Sequence, residues 1–214
     1  MSQPLAIILA ITAAYLLGSI PSAYLVGRLR KGVDIRTVGS RNMGAMNSFY
    51  NIGFFYGVIV LVMDIGKGYA AVAVGQWLGQ QANLSWWMYL AMACGFIAVL
   101  GHNLPVWLKF KGGKGGATAI GAALFFIPWG WVVGLTIFAI LLIITRVPTI
   151  SYGLAMTSFP LVSWLIYHNG RFVIYTALIV LVPLFSYIPR LLEMRRKGGS
   201  WRHVFRRKSI KDRF

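Results

Sequence analysis

Six apolar stretches, at roughly 4–26, 53–79, 86–108, 117–145, 149–167 and 172–189, leave little of this chain outside them. Each is long enough to cross about 30 Å of hydrocarbon as a helix. A segment in lipid must satisfy its own backbone hydrogen bonds, so such stretches fold as helices. Hydrophobic residues make up 58% of 214 positions, against 21 basic and 4 acidic ones. A water-soluble domain could not cover that much apolar surface, so the expected class is an all-α integral membrane protein. The first stretch lacks the basic flank of a secretory signal and is long, so it reads as a retained span. A single cysteine, Cys94 in mid-span, excludes an internal disulfide, and with three scattered histidines a zinc site is not expected.

The net charge of +17 could suggest nucleic acid, but its distribution follows the membrane. No Lys or Arg precedes Arg28; then five fall within 28–41, three within 109–114 and ten within 190–213. Basic residues mark cytoplasmic segments. The N-terminus is therefore expected outside, with the loops after the first and third spans inside together with the C-terminal tail. A single crossing by 117–145 would put that tail outside. Pro128-Trp129-Gly130 interrupts the stretch, since proline removes a donor and glycine weakens a helix. Two short helices, about 117–127 and 131–145, would go in and return, giving seven transmembrane helices. One long tilted helix is the competing reading.

The expected organisation is a membrane domain over 1–194 and a basic cytoplasmic tail over 195–214. The tail mixes Arg and Lys with Trp201, Val204, Phe205 and Ile210. That mixture suits an anionic leaflet, and a solvated tail obeying the charge rule explains it equally well. No repeat or low-complexity segment is evident.

Three polar constellations stand out from the apolar background. In Lys111-Gly112-Gly113-Lys114-Gly115-Gly116, four glycines in five positions let the backbone turn tightly and aim amides at one point, while lysines add charge. The spacing differs from the nucleotide-binding loop. The run points to an anion, with Lys111, Gly112, Gly113, Lys114 and Gly115 as its candidate holders. Just upstream, His102 reads either as a packing residue or as a catalytic base. In Gly39-Ser40-Arg41-Asn42-Met43-Gly44-Ala45-Met46-Asn47, small residues alternate with a hydroxyl, a guanidinium and amides able to bind phosphate or polyol. Finally, Asp64 and Lys67 are three apart on one helix face of an apolar span. A structural ion pair is the expected role, and a substrate contact the alternative.

In this order the motifs resemble the acyl-phosphate-dependent glycerol-3-phosphate acyltransferases of bacteria, the PlsY type. The resemblance runs from about Leu16 to Tyr187. It is carried by Gly18-Ser-Ile-Pro21, Gly32-Val-Asp34, Val38-Gly-Ser40, Asn42, Gly44-Ala45, Asn47, Asp64-x-x-Lys67-Gly68, Gly101-His102, Pro105, Phe110-Lys-Gly-Gly-Lys-Gly115 and Ser151-Tyr-Gly-Leu-Ala155. The resemblance implies a multi-pass enzyme of the bacterial inner (cell) membrane, monomeric, with its active site facing the cytoplasm. It would move a fatty acyl group from acyl phosphate to the 1-hydroxyl of glycerol 3-phosphate, giving lysophosphatidic acid and phosphate for phospholipid biosynthesis, without metal or cofactor. By position, Ser40 and Lys114 match residues that serve activity. Arg41, Asn42, Gly44, Asn47 and His102 join the glycine loop as substrate-binding candidates.

The chain departs from the family pattern at Arg41, where a glycine is usual, and at Met46 and Tyr50, where Thr and Arg are. Leu184 and Tyr187 replace a functional His and Asn. A catalytically weakened paralogue that binds acyl phosphate or lysophospholipid is the competing reading. A small anion transporter would need polar groups continuing through the midplane, and only Asp64 and Lys67 offer any.

Overall fold

The computed structural model describes residues 1–205, and every regular element in that range is helical. The part of the tail at 206–214, Ile210 included, lies outside the described residues. Two compact units divide the chain, one over Met1–Phe125 and one from Phe126 onward.

In the first unit, α1 (Gln3–Ser19) stops before Pro21, which lacks an amide and pushes Ile20 out of helical geometry to ψ 115°. The chain resumes as α2 (Ser22–Lys31), closed by Gly32 at φ +63°. After an irregular loop come α3 (Ala45–Asn51), α4 (Phe54–Gln81), α5 (Trp87–Asn103) and α6 (Gly116–Leu124). Small residues let these helices cross closely, as lipid-embedded packing requires. Ala6, Ala10 and Ala14 of α1 bury against Ala71 and Leu78 of α4 and Leu90, Cys94 and Ala98 of α5. A β-carbon on Gly18 would overlap the backbone of Ala98, and one on Gly121 of α6 would overlap the carbonyl of Ile65. A second cluster joins Ala23 and Val26 of α2, Ile35 and Met43 of the loop, and Val60 of α4.

In the second unit, α7 (Trp129–Thr145) begins where Pro128 stands and ends at Arg146 in left-handed geometry. The expected interruption thus falls at 125–128, and the helix before it ends at Leu124 rather than 127. The 149–167 stretch, expected as one span, is two helices, α8 (Pro148–Met156) and α9 (Ser158–Leu165). Pro160 offers no amide to the carbonyl of Met156, and its ring crowds that carbonyl. The freed turn is filled by hydroxyls: Thr157 Oγ1 donates to Leu154 O at 2.7 Å and Ser158 Oγ to Ala155 O at 2.6 Å. The last stretch, expected over 172–189, runs on as α10 (Gly170–Gly198) through Pro183 and Pro189. Asn169 caps it, accepting from the amide of Arg171 at 3.0 Å. A short α11 (Trp201–Phe205) follows, and Val147, Ile150, Met194 and Val204 bury together.

Among the described residues, four segments are long and apolar enough to cross a membrane: Gln3–Lys31, Phe54–Gln81, Trp87–Leu108 and Gly170–Gly198, with α7 a shorter apolar helix.

Candidate active site

The loop between α2 and α3 is built on Asp34 and Asn47. Asp34 Oδ2 takes Arg36 Nη2 at 2.8 Å, while its Oδ1 takes Arg36 Nε and the Arg36 amide, each at 3.0 Å. Those hydrogen bonds from Arg36 hold the Asp34 carboxyl at about 2, against the cost of burial. Asn47 is buried, and its amide is fully committed. Nδ2 donates to Ile35 O at 3.0 Å and Val38 O at 3.1 Å, while Oδ1 accepts from the Ser40 amide at 3.0 Å and Asn51 Nδ2 at 2.9 Å. Two donors and two lone pairs are all a carboxamide has. Asn47 was expected to bind substrate; it has nothing left to offer one, and instead holds the strand of loop that carries Ser40. Gly39, at φ +56°, makes room for this, since a β-carbon there would come within 2.5 Å of Asn47 Oδ1.

Ser40 and Arg41 are exposed, and Asn42 and Gly44 half-buried. Arg41 has φ +58°, the left-handed region that suits the glycine usual in the family pattern.

The glycine run is held differently from expectation. Past α5, the chain makes one 3-10 turn (Val106–Leu108) and then two left-handed residues, Lys109 and Phe110. It folds back so that the amides of Gly112 and Gly113 donate to Asn103 O and His102 O, at 3.0 and 3.1 Å. A β-carbon on Gly112 would overlap His102 O, and one on Gly113 would overlap His102 Nε2. Those two amides therefore serve the loop's own backbone and are not aimed at an anion. The amides of Gly116, Ala117 and Thr118 open α6, where a helix cannot supply its own carbonyls and where its dipole favours negative charge. Gly115 caps this end at φ +78°. Lys114 is half-buried beside it, and Lys111 is exposed.

The two loops touch, since the Gly113 α-carbon packs on the carbonyl of Met43. Leu108 packs on the cluster containing Met43 and Ile35. Beneath them Asp64 and Lys67 pair at 2.9 Å, both buried, with Ser22 Oγ donating to the same Asp64 Oδ1 at 2.8 Å.

A family model described as glycerol-3-phosphate acyltransferase matches residues 8–194. The chain belongs to the glycerol-3-phosphate acyltransferase family, PlsY type. Glycerol-3-phosphate acyltransferase 2 of Dehalococcoides mccartyi is 49% identical over the whole of both chains. Glycerol-3-phosphate acyltransferase 1 of the same organism is 45% identical, over 73% of this chain and 75% of its own. Among solved structures, the glycerol 3-phosphate form of PlsY, an integral membrane glycerol 3-phosphate acyltransferase, superposes with a TM-score of 0.79 at 27% identity, covering 97% of this chain and 95% of that one. Its lysophosphatidic acid form gives 0.76 at 28% identity, over 90% and 92%. This member of the family is thus a multi-pass membrane acyltransferase.

Where the PlsY-type pattern carries His and Asn, the second unit has Leu184 and Tyr187. The Tyr187 ring lies 6.3 Å from that of Tyr152, in the α8 segment that carried the Ser151–Ala155 motif. Ser22 and Thr118 went unnoticed in the sequence as neighbours of the ion pair and of His102. Ser22 directly follows Pro21, and Thr118 sits two positions past the glycine run; neither spacing identifies a partner.

Proposed function

We propose that this acyltransferase moves a fatty acyl group from acyl phosphate to the 1-hydroxyl of sn-glycerol 3-phosphate. The hydroxyl oxygen forms a bond to the acyl carbonyl carbon. The bond from that carbon to the phosphate oxygen breaks, and phosphate leaves with the electron pair. The hydroxyl proton goes to a phosphate oxygen, so no strong protein base is needed. Lysophosphatidic acid and inorganic phosphate are the products.

The observation that carries this reading is the contact between the Ser40 loop and the lysine–glycine loop at Met43 and Gly113. That contact joins the loop that carries an exposed hydroxyl and guanidinium to the loop that carries Lys114 and leads into α6. That set suits two phosphorylated substrates whose negative charge must be offset as they approach. In this assignment Lys114 and the α6 amides take the donor's phosphate, Ser40 serves activity, and Arg41, Asn42, Gly44 and Lys111 border the acceptor.

Seven crossings, an external N-terminus and an inner-membrane enzyme facing the cytoplasm complete the proposal. The basic clusters at 28–41, 109–114 and 190–213 support that orientation. The test is phosphate release from acyl phosphate by the purified protein in nanodiscs. Release should depend on glycerol 3-phosphate and vanish in Lys114→Ala. Equal release with and without acceptor would make the protein a hydrolase, and binding without release would leave the weakened-paralogue reading.

A further inference from the structure

Beneath the two loops lies a run of buried polar groups that the proposed reaction does not use. Asp64 of α4 is its hub. Oδ1 receives Ser22 Oγ of α2 at 2.8 Å and Lys67 Nζ at 2.9 Å, and His102 Nδ1 of α5 stands 3.6 Å away. Lys67 Nζ also donates to Ile20 O at 2.8 Å, a carbonyl at the end of α1 that accepts the Ser22 amide as well, at 3.0 Å. His102 Nδ1 in turn lies 3.2 Å from Thr118 Oγ1 on α6. All five side-chain-bearing residues are more than nine-tenths buried, the most accessible being His102 at 7%.

An aspartate beside a histidine invites comparison with a general base and its orienting carboxylate. The far end of this imidazole argues otherwise. Nε2 abuts Gly113, so the nitrogen that would accept a substrate proton is roofed by the loop. The His102 carbonyl meanwhile accepts the amide of Gly113. One residue thus grips the same glycine from its ring and from its backbone. Thr118, which steers the ring, is the third residue of α6, so its own amide is among those that open that helix.

We propose that Thr118, His102, Asp64, Lys67 and Ser22 form a positioning network that fixes where Gly113, and with it Lys114 and the first amides of α6, stand relative to the α1–α2 break. None of the five touches substrate. They act through the loop, and the consequence for catalysis rests on the acyl-transfer assignment above. Buried, satisfied polar networks specify one arrangement of the elements they join, and a phosphate-holding loop loses much of its effect when displaced by about 1 Å.

The experiment uses the full chain in nanodiscs with Thr118→Val, which keeps shape and removes the hydroxyl, and Thr118→Ser, which restores it. Hydrogen exchange of the 111–118 segment is read alongside steady-state kinetics with acyl phosphate. Thr118→Val should speed exchange of that segment about tenfold and raise KM for acyl phosphate by a similar factor, with kcat changed less. Thr118→Ser should return both toward wild type. Unchanged exchange in Thr118→Val would overturn the network, whatever the kinetics. A kinetic defect without an exchange change would make Thr118 a direct substrate contact and would overturn it too. If the wild-type protein transfers no acyl group, the functional assignment fails, yet the exchange comparison still decides the network.

Discussion

The carbonyl of Met43 and the α-carbon of Gly113 are packed so closely that a β-carbon on the glycine would come within 2.8 Å of that oxygen. Sixty-nine intervening positions are thereby reduced to one contact between two loops.

That contact predicts a sharp difference between glycines. In Gly113→Ala the methyl would meet Met43 O and overlap His102 Nε2, so the loop must move. Activity should fall by about two orders of magnitude, with stability reduced by about 1–3 kcal/mol. Gly66 of α4 is the control, because nothing lies within 4 Å of a β-carbon there. Gly66→Ala should leave activity intact and stabilise the helix by about 0.5–1 kcal/mol. Melting curves and acyl-transfer rates of the two variants check both outcomes.

Arg41 presents a trade between backbone and side chain. Its φ of +58° costs an L-residue about 1–2 kcal/mol relative to glycine. Arg41→Gly should therefore raise the melting temperature. Under the assignment of Arg41 to the acceptor side, it should also raise KM for glycerol 3-phosphate. A variant that gains stability at unchanged KM would remove Arg41 from the site.

The buried pair is expected to behave as a unit. Lys67→Met leaves Asp64 charged and without its ammonium, and should cost about 3–5 kcal/mol. The double variant Asp64→Leu with Lys67→Met removes both charges and should recover most of that loss. It should not recover activity, because Ser22, His102 and the Ile20 carbonyl all lose a partner. Denaturation in detergent together with activity separates the two effects.

Asp34 sets an acid limit on the Ser40 loop. Its carboxyl is held at about 2 in the folded loop, below the ordinary value of 3.8. A depressed carboxyl contributes stability above the ordinary value and loses it as pH falls through the folded one. Pepsin should therefore nick the 32–44 segment increasingly between pH 4 and pH 2. In Asp34→Asn the segment should be cleaved readily throughout that window, with little dependence on pH.

How much of this was visible in the sequence varies with the physics involved. Hydropathy reports contact with lipid, so four of the apolar stretches correspond to helices long enough to span, while their ends and the break within 149–167 were not drawn. α10 continues to Gly198 because Arg190, Arg195 and Lys197 change the solvent around a helix without ending its hydrogen bonds; Glu193 pairs with Arg190 at 2.6 Å and Lys197 at 2.8 Å along it. Pro160 was in plain sight, yet its effect falls four residues upstream, at Met156. The spacing of Asp64 and Lys67 put them within reach of each other on one face. That Ser22, His102 and the Ile20 carbonyl would converge on the same pair depends on helix crossings no local pattern encodes. The glycine run was read as a set of amides aimed at an anion, and at two of its positions it packs instead on its own neighbour, His102.

The ammonium of Lys67 on the carbonyl of Ile20 carries a consequence for biogenesis. That oxygen already accepts the Ser22 amide at 3.0 Å, and the ammonium of Lys67 is its second donor, at 2.8 Å. The local donor is two residues away and the second lies 47 residues on, so the bend between α1 and α2 gains this tie only once α4 is present. The first span is thus pinned at its bend by a helix made after it, so the later span helps set the shape of the earlier one.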